Sequence, residues 1–180
     1  MKTIKFFLIV PFLFISGKWS SPLVSEPESS FILSDYEILV YYNRFDSAVA
    51  IIKQYEGWHT ARHYPYVGYG HKLQKGDNFD HTISKPFADS LLRKDLLQKC
   101  AAFRHFGKDS LLLGVLAYNI GEYRLLGTPT IKKSTLIAKL EAGNRDIQAD
   151  YISYRKYKGK VIAALERRRR HEFNALYEHP

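Results

Sequence analysis

Glu56 stands at the end of an amphipathic stretch, directly before Gly57 and Trp58. A carboxylate at a helix C-terminus faces the negative end of the macrodipole, and aromatic neighbours add desolvation. Both effects disfavour ionisation. A glutamate so placed can keep a proton near neutral pH and deliver it as a general acid. An ordinary solvated glutamate at a helix end has the same local sequence, so its neighbours decide. The next chemically distinctive run is Gly68-Tyr69-Gly70-His71. Its glycines allow backbone conformations closed to other residues, and His71 can donate or accept hydrogen bonds. Between Glu56 and Gly68 there is no Asp or Glu. His59 and His63 have the four-residue spacing of helical zinc ligands, but Gly57 and Pro65 break the helix such a pair needs, so neither a metal nor a cofactor is expected.

These residues need elements to hold them. Phe45, Ala48, Val49, Ile52 and Tyr55 recur at steps of three and four behind a polar Asp46-Ser47 pair, which predicts a core-facing helix that Gly57 ends. Residues 64–80 are rich in Tyr, Val and Gly and predict a small hairpin or two. Ser84 can cap the next helix with Pro86 in its first turn, and Ala88, Leu92, Leu96, Cys100 and Phe103 continue its apolar stripe toward Gly107. Asp109 or Ser110 begins a helix apolar on nearly all sides, through Leu111, Leu112, Leu113, Val115, Leu116 and Tyr118, which suits the centre of the fold. Further helices are predicted near 134–142, 146–154 and 161–177. The fold class is α+β, mainly α, with a small N-terminal hairpin lobe and a larger helical lobe.

At 180 residues the chain holds one domain, and with 46% hydrophobic and 14% aromatic residues it has ample surface for a core. Its lone Cys100 rules out an internal disulfide and thiolate metal clusters and suits a small buried helix residue. Lys2 and Lys5 precede an apolar run over 6–16, shorter than the roughly 20 residues of a membrane span, so residues 1–20 read as an export signal. Residues 21–34, rich in Ser and Pro, read as a linker, and 35–180 as the working domain. The expected location is the periplasm or cell envelope. The formal charge of +9 leaves nucleic acid, acidic glycan and membrane surface open as partners. Three of those charges belong to the leader, and most of the rest lie beyond residue 155, including Arg167 to Arg170. Four consecutive arginines on a helix point in four directions, so they do not make a single phosphate-binding stripe, and a nucleic-acid partner is not expected.

The order of these motifs resembles the phage-type lysozymes, glycoside hydrolase family 24. In that family a helix ending in Glu-Gly precedes a hairpin carrying Gly-Tyr-Gly-His. Leu116-Ala117-Tyr118-Asn119-Ile120-Gly121 is similar to its central helix end, and Ser134-Thr135-Leu136 with Leu140, Gly143 and Asn144 to its Ser-Thr-Leu segment and following turn. Leu165, Arg168, Arg169 and Glu172 match its last-helix signature. The resemblance implies a lysozyme-like fold and a monomeric peptidoglycan-cleaving muramidase with Glu56 as catalytic acid. It further implies Tyr66, Tyr69, His71, Tyr118, Asn119 and Ser134 as substrate-binding residues, and Arg168 and Arg169 as support for the cleft. The export signal suits the branch encoded in conjugative transfer regions, with an envelope-spanning transfer machinery as partner. The family places an Asp and a Thr between the Glu and the Gly-Tyr-Gly-His motif. Here the segment is shorter, Tyr66 stands near the threonine position, and Thr60 lies too early. His63, Tyr64 or Tyr66 could position a water, Asp77 or Asp80 could swing in, or the sugar's own hydroxyl could attack with one Glu serving as acid and then base. Hydrolysis is the first expectation, with that transglycosylase-like cleavage, or non-catalytic peptidoglycan binding, as alternatives.

Overall fold

The computed structural model describes residues 35–179, with side chains from Val40 onward, so the expected signal and linker lie outside the described residues. Seven α-helices and two short antiparallel hairpins occur among them. The first helix, α1, spans Asp35–Glu56 and buries Phe45, Ala48, Val49 and Ile52 on the predicted face. It begins well before Asp46-Ser47. Ser47 Oγ donates back to the Asn43 carbonyl at 2.9 Å and Asp46 pairs with Arg93, so both polar residues decorate the helix instead of starting it.

The hairpin β1 (Tyr66–Val67) and β2 (His71–Lys72) pairs Tyr66 with Lys72 and Val67 with His71. Then α2 (Lys85–Ala101) starts at Ser84, whose hydroxyl accepts from the Phe87 amide, and the expected stripe from Ala88 to Phe103 is buried. It stops at Ala101, and a 3-10 turn over Arg104–Asp109 carries the chain into α3.

α3 (Ser110–Ile120) is the centre of the core, with every residue from Leu111 to Ala117 buried. α1, α2 and α7 (Ala163–Leu176) pack around it. Between them lie α4 (Tyr123–Leu126), α5 (Thr135–Glu141) and α6 (Gln148–Ile152). A second hairpin, β3 (Lys156–Tyr157) with β4 (Lys160–Val161), precedes α7 and was not anticipated. Its two turn residues, Lys158 and Gly159, take φ of 47° and 79°. Lys-Gly signals such a turn less strongly than Asn-Gly, which explains the omission.

Where α2 and α3 touch, Cys100 meets Gly114. Burial pushes the Cys100 thiol up to about 12, so it is a packing group and not a reactive one. A Cβ at Gly114 would stand 2.5 Å from Cys100 Sγ and 3.1 Å from the Cys100 backbone nitrogen. Gly114→Ala is therefore expected to cost about 1–3 kcal/mol through overpacking, despite alanine's better helix propensity. Denaturant unfolding with circular dichroism checks this.

Candidate active site

The site starts from three charges on one turn of α7. Arg168, Arg169 and Glu172 are all buried. Glu172 Oε1 accepts from Arg168 Nε at 2.8 Å, and Oε2 accepts from Arg169 Nη1 at 2.6 Å. The spacing of three and four residues puts both cations within reach of one carboxylate. Tyr151 on α6 donates its hydroxyl to Glu172 Oε2 at 2.9 Å. Burial, followed by the charge of Glu172, raises the Tyr151 pKa and keeps it a donor.

From this base the arginines reach outward. Arg168 Nη1 contacts Glu56 Oε1 at 2.8 Å. Burial opposes the charge on Arg168, but Glu172 and Glu56 outweigh it and raise its pKa. Arg169 Nη2 donates to Asn119 Oδ1, whose amide Nδ2 donates to Glu56 Oε1 at 3.2 Å. Both ends of the amide are used, which fixes its orientation. Glu56 is thus held through one oxygen, while Oε2 has no hydrogen bond or ion pair among the described residues and the side chain is 19% exposed.

A carboxylate at the end of α1 is thus gripped by an Arg from the last helix and an Asn from the central one. The chain matches the family described as Phage lysozyme over residues 53–172. It belongs to that family. No curated protein matches the chain. Membership in the phage lysozymes carries with it glycosidase chemistry on peptidoglycan.

The hairpin of this phage lysozyme family member is fastened beside Glu56 at three points. His59 N donates to Gly68 O at 2.8 Å, Tyr118 on α3 donates its hydroxyl to Tyr69 O at 3.0 Å, and the Trp58 and Tyr69 rings meet edge to face with centroids 5.3 Å apart. Gly68 has φ of 59°, and a Cβ there would lie 2.7 Å from Ala88 Cβ on α2. The motif's first glycine is therefore required twice, by conformation and by close approach.

The expected substrate-binding residues divide. Tyr66 is 42% exposed on β1 and open to a ligand. Tyr69 is half-buried, its ring lying beneath Lys53 Nζ at 5.1 Å. The Tyr118 hydroxyl is committed to Tyr69, and burial, with the Asp95 and Glu56 charges, raises its pKa. Asn119 holds Glu56 and is a positioning group. For His71 the structure gives a different part: Nδ1 contacts Asp95 on α2 at 2.7 Å and Nε2 contacts Asp77 at 3.2 Å. Neither nitrogen is left for a sugar, and the ring is a strut between hairpin and helix. Ser134 is also placed differently. Its oxygen accepts from the Ile137 amide as the N-cap of α5, and none of its contacts leads to Glu56. A hollow of about 350 Å³ lined by Gln148, Ile152, Arg155 and Arg170 lies against α6 and does not touch Glu56. Glu172 and Tyr151 were missed as organisers, although the spacing of Glu172 from both arginines was visible in the sequence.

Two expectations follow. Glu172→Ala strands two buried guanidinium groups and should cost about 3–5 kcal/mol, measured by equilibrium unfolding. The Gln74 amide, at 2.6 Å, and His71 hold the Asp77 carboxyl below its ordinary 3.8. A lowered folded value stabilises above the unfolded value and is lost as pH falls through the folded one. Asp77→Asn should therefore lower the melting temperature at neutral pH, and the gap to wild type should close below about pH 3.8. Thermal melts across pH check this.

Proposed function

We propose that the protein is an exported muramidase that cleaves the β-1,4 bond between N-acetylmuramic acid and N-acetylglucosamine in peptidoglycan, remodelling the cell wall locally. The observation that carries this reading is the asymmetric hold on Glu56. Oε1 is pinned by Arg168 and Asn119, and Oε2 is left to meet a ligand. In the reaction the proton on Glu56 passes to the glycosidic oxygen as the bond to the anomeric carbon breaks through an oxocarbenium-like transition state. The carboxylate left behind is already in contact with Arg168, so the charge it gains is compensated without rearrangement. Tyr66 and the Trp58–Tyr69 pair offer aromatic surface close by. The formal charge of +9 stays positive without the three lysines of the leader, which suits a polymer whose stem peptides carry carboxylates. The basic and apolar leader supports export to the periplasm or envelope, and there the work would be that of a monomer serving an envelope-spanning transfer machinery.

A zymogram on purified cell walls tests the role of Glu56. Wild type should clear the gel, and Glu56→Gln should lose about 10²–10⁴-fold in activity, the usual worth of a general acid, while keeping the wild-type circular dichroism spectrum. Equal clearing by both proteins removes Glu56 from the reaction. Binding to cell walls with no clearing by either would support a non-catalytic wall-binding role instead.

A further inference from the structure

We propose that the second hairpin, β3–β4, docks the protein on an anionic phospholipid bilayer. Tyr157, Val161 and Ile162 enter the headgroup layer while Lys156, Lys158 and Lys160 meet its phosphates. The proposal does not depend on the reaction at Glu56.

A hairpin of two-residue strands is marginal by itself and needs a core to rest on. The first hairpin has one, through Tyr118, His59 and Asp95. In the second, every residue from Lys156 to Ala164 is exposed, and the base is closed by Ile162 N donating to Arg155 O at 2.9 Å. The register sets Lys156 opposite Val161 and Tyr157 opposite Lys160. Opposite residues share a face, so each face carries one ammonium group and one apolar side chain. Lys158, at the turn, lies over the Tyr157 ring at 5.5 Å. Tyr157 is 62%, Val161 51% and Ile162 37% exposed, so three apolar side chains are held in water beside three lysines.

Glu166 is the only acid between Arg155 and His171, and its two oxygens are taken by Arg155 at 2.6 Å and Arg170 at 2.8 Å. None of the three lysines makes an ion pair with a described residue. The hairpin therefore calls for an anionic partner with an apolar layer beneath its charges. Nucleic acid and peptidoglycan offer phosphates or carboxylates but no aliphatic layer to take Val161 and Ile162 out of water. Protein interfaces are enriched in arginine and depleted in lysine. A bilayer supplies both parts, because lysine stems lie along the apolar boundary while their ammonium groups reach the phosphates.

The location leaves the site free. Arg168 reaches Glu56 from α7, whereas Glu166 and Arg170, two residues to either side, lie about 160–200° round the helix from it. Arg155 fastens the hairpin's base there, on the face turned away from Glu56. A protein seated on a membrane by this hairpin keeps Glu56 unobstructed.

The test uses the full chain with Tyr157→Cys. Cys100 is buried with its thiol pushed up to about 12, so a polarity-sensitive thiol label reports from the hairpin. Its emission should shift to the blue with vesicles of equal parts phosphatidylglycerol and phosphatidylcholine and stay water-like with phosphatidylcholine alone. Adding Lys156→Gln, Lys158→Gln and Lys160→Gln should raise the lipid concentration needed about 100-fold, at about fivefold per lysine, and salt should weaken the response of the protein that keeps its lysines. A label that stays water-like with anionic vesicles overturns the proposal even where the chain binds them through another segment. A response to purified cell walls alone would assign the hairpin to the carboxylate-bearing polymer instead, and a response untouched by the three glutamines would also overturn the proposal. The vesicles contain no peptidoglycan, so failure of the wall-cleavage reading would leave this result standing.

Discussion

Everything at the site depends on one buried carboxylate. Glu172 has 0% exposure and pairs with two guanidinium groups that are themselves almost wholly removed from water. Desolvating three charges is expensive, and attraction between them repays it only when the geometry is tight. Among the described residues, Arg168 Nη2 and Arg169 Nε find no hydrogen-bond partner. An apolar trio of the same volume could pack as well. It could not place a cation on Glu56 and another on Asn119, and that is what the structure obtains for the cost. The network joins α7, α3 and the end of α1, so a single side chain sets both the stability of the helical core and the position of the acid.

The hairpin depends on the same core from the other side. Its short strands supply only the pairs Tyr66 with Lys72 and Val67 with His71, far too few to stand alone. It holds because two of its carbonyls and one side chain are drawn into tertiary contacts: Tyr69 O by Tyr118, Gly68 O by His59, and the His71 ring by Asp95. Tyr118 and Asn119 are consecutive, so one turn of α3 grips the hairpin with one residue and the Glu56 carboxylate with the next. A shift in that turn would move both walls of the site together.

What could be read from the sequence follows from how local each signal is. The burial stripe of α2, its Ser84 cap and the all-round apolarity of α3 depend on neighbours three or four residues away, and the structure has all three. The start of α1 was misplaced because Asp46 and Ser47 can either cap a helix or ornament it. The helix runs on from Asp35, so Ser47 bonds back to Asn43 within it and Asp46 meets Arg93 from its outer face. The same limit governs the site. Glu56 and the two arginines were legible as motif residues, whereas the conversion of His71 into a strut required Asp95 to arrive from α2 and Asp77 from the hairpin's return. Ser134 had the pattern of a cap, Ser before a helical run, and its motif membership outweighed that local reading.

The basic C-terminal region shows how little a count of charges says about where those charges face. Of the four arginines at 167–170, two are buried among acids, and Arg170 is paired with Glu166 at 2.8 Å. Arg155 meets the other oxygen of Glu166 at 2.6 Å. Arg167 and Arg170 are both exposed, and of the four only Arg167 makes no ion pair with a described residue. Further exposed positive charge lies on the second hairpin, at Lys156, Lys158 and Lys160 around a Tyr157 that is 62% exposed. The run that pointed in four directions in the sequence is divided in the fold: Arg168 and Arg169 lie inside as counter-charge to Glu172 and Glu56, while Arg170 pairs with Glu166 at the surface.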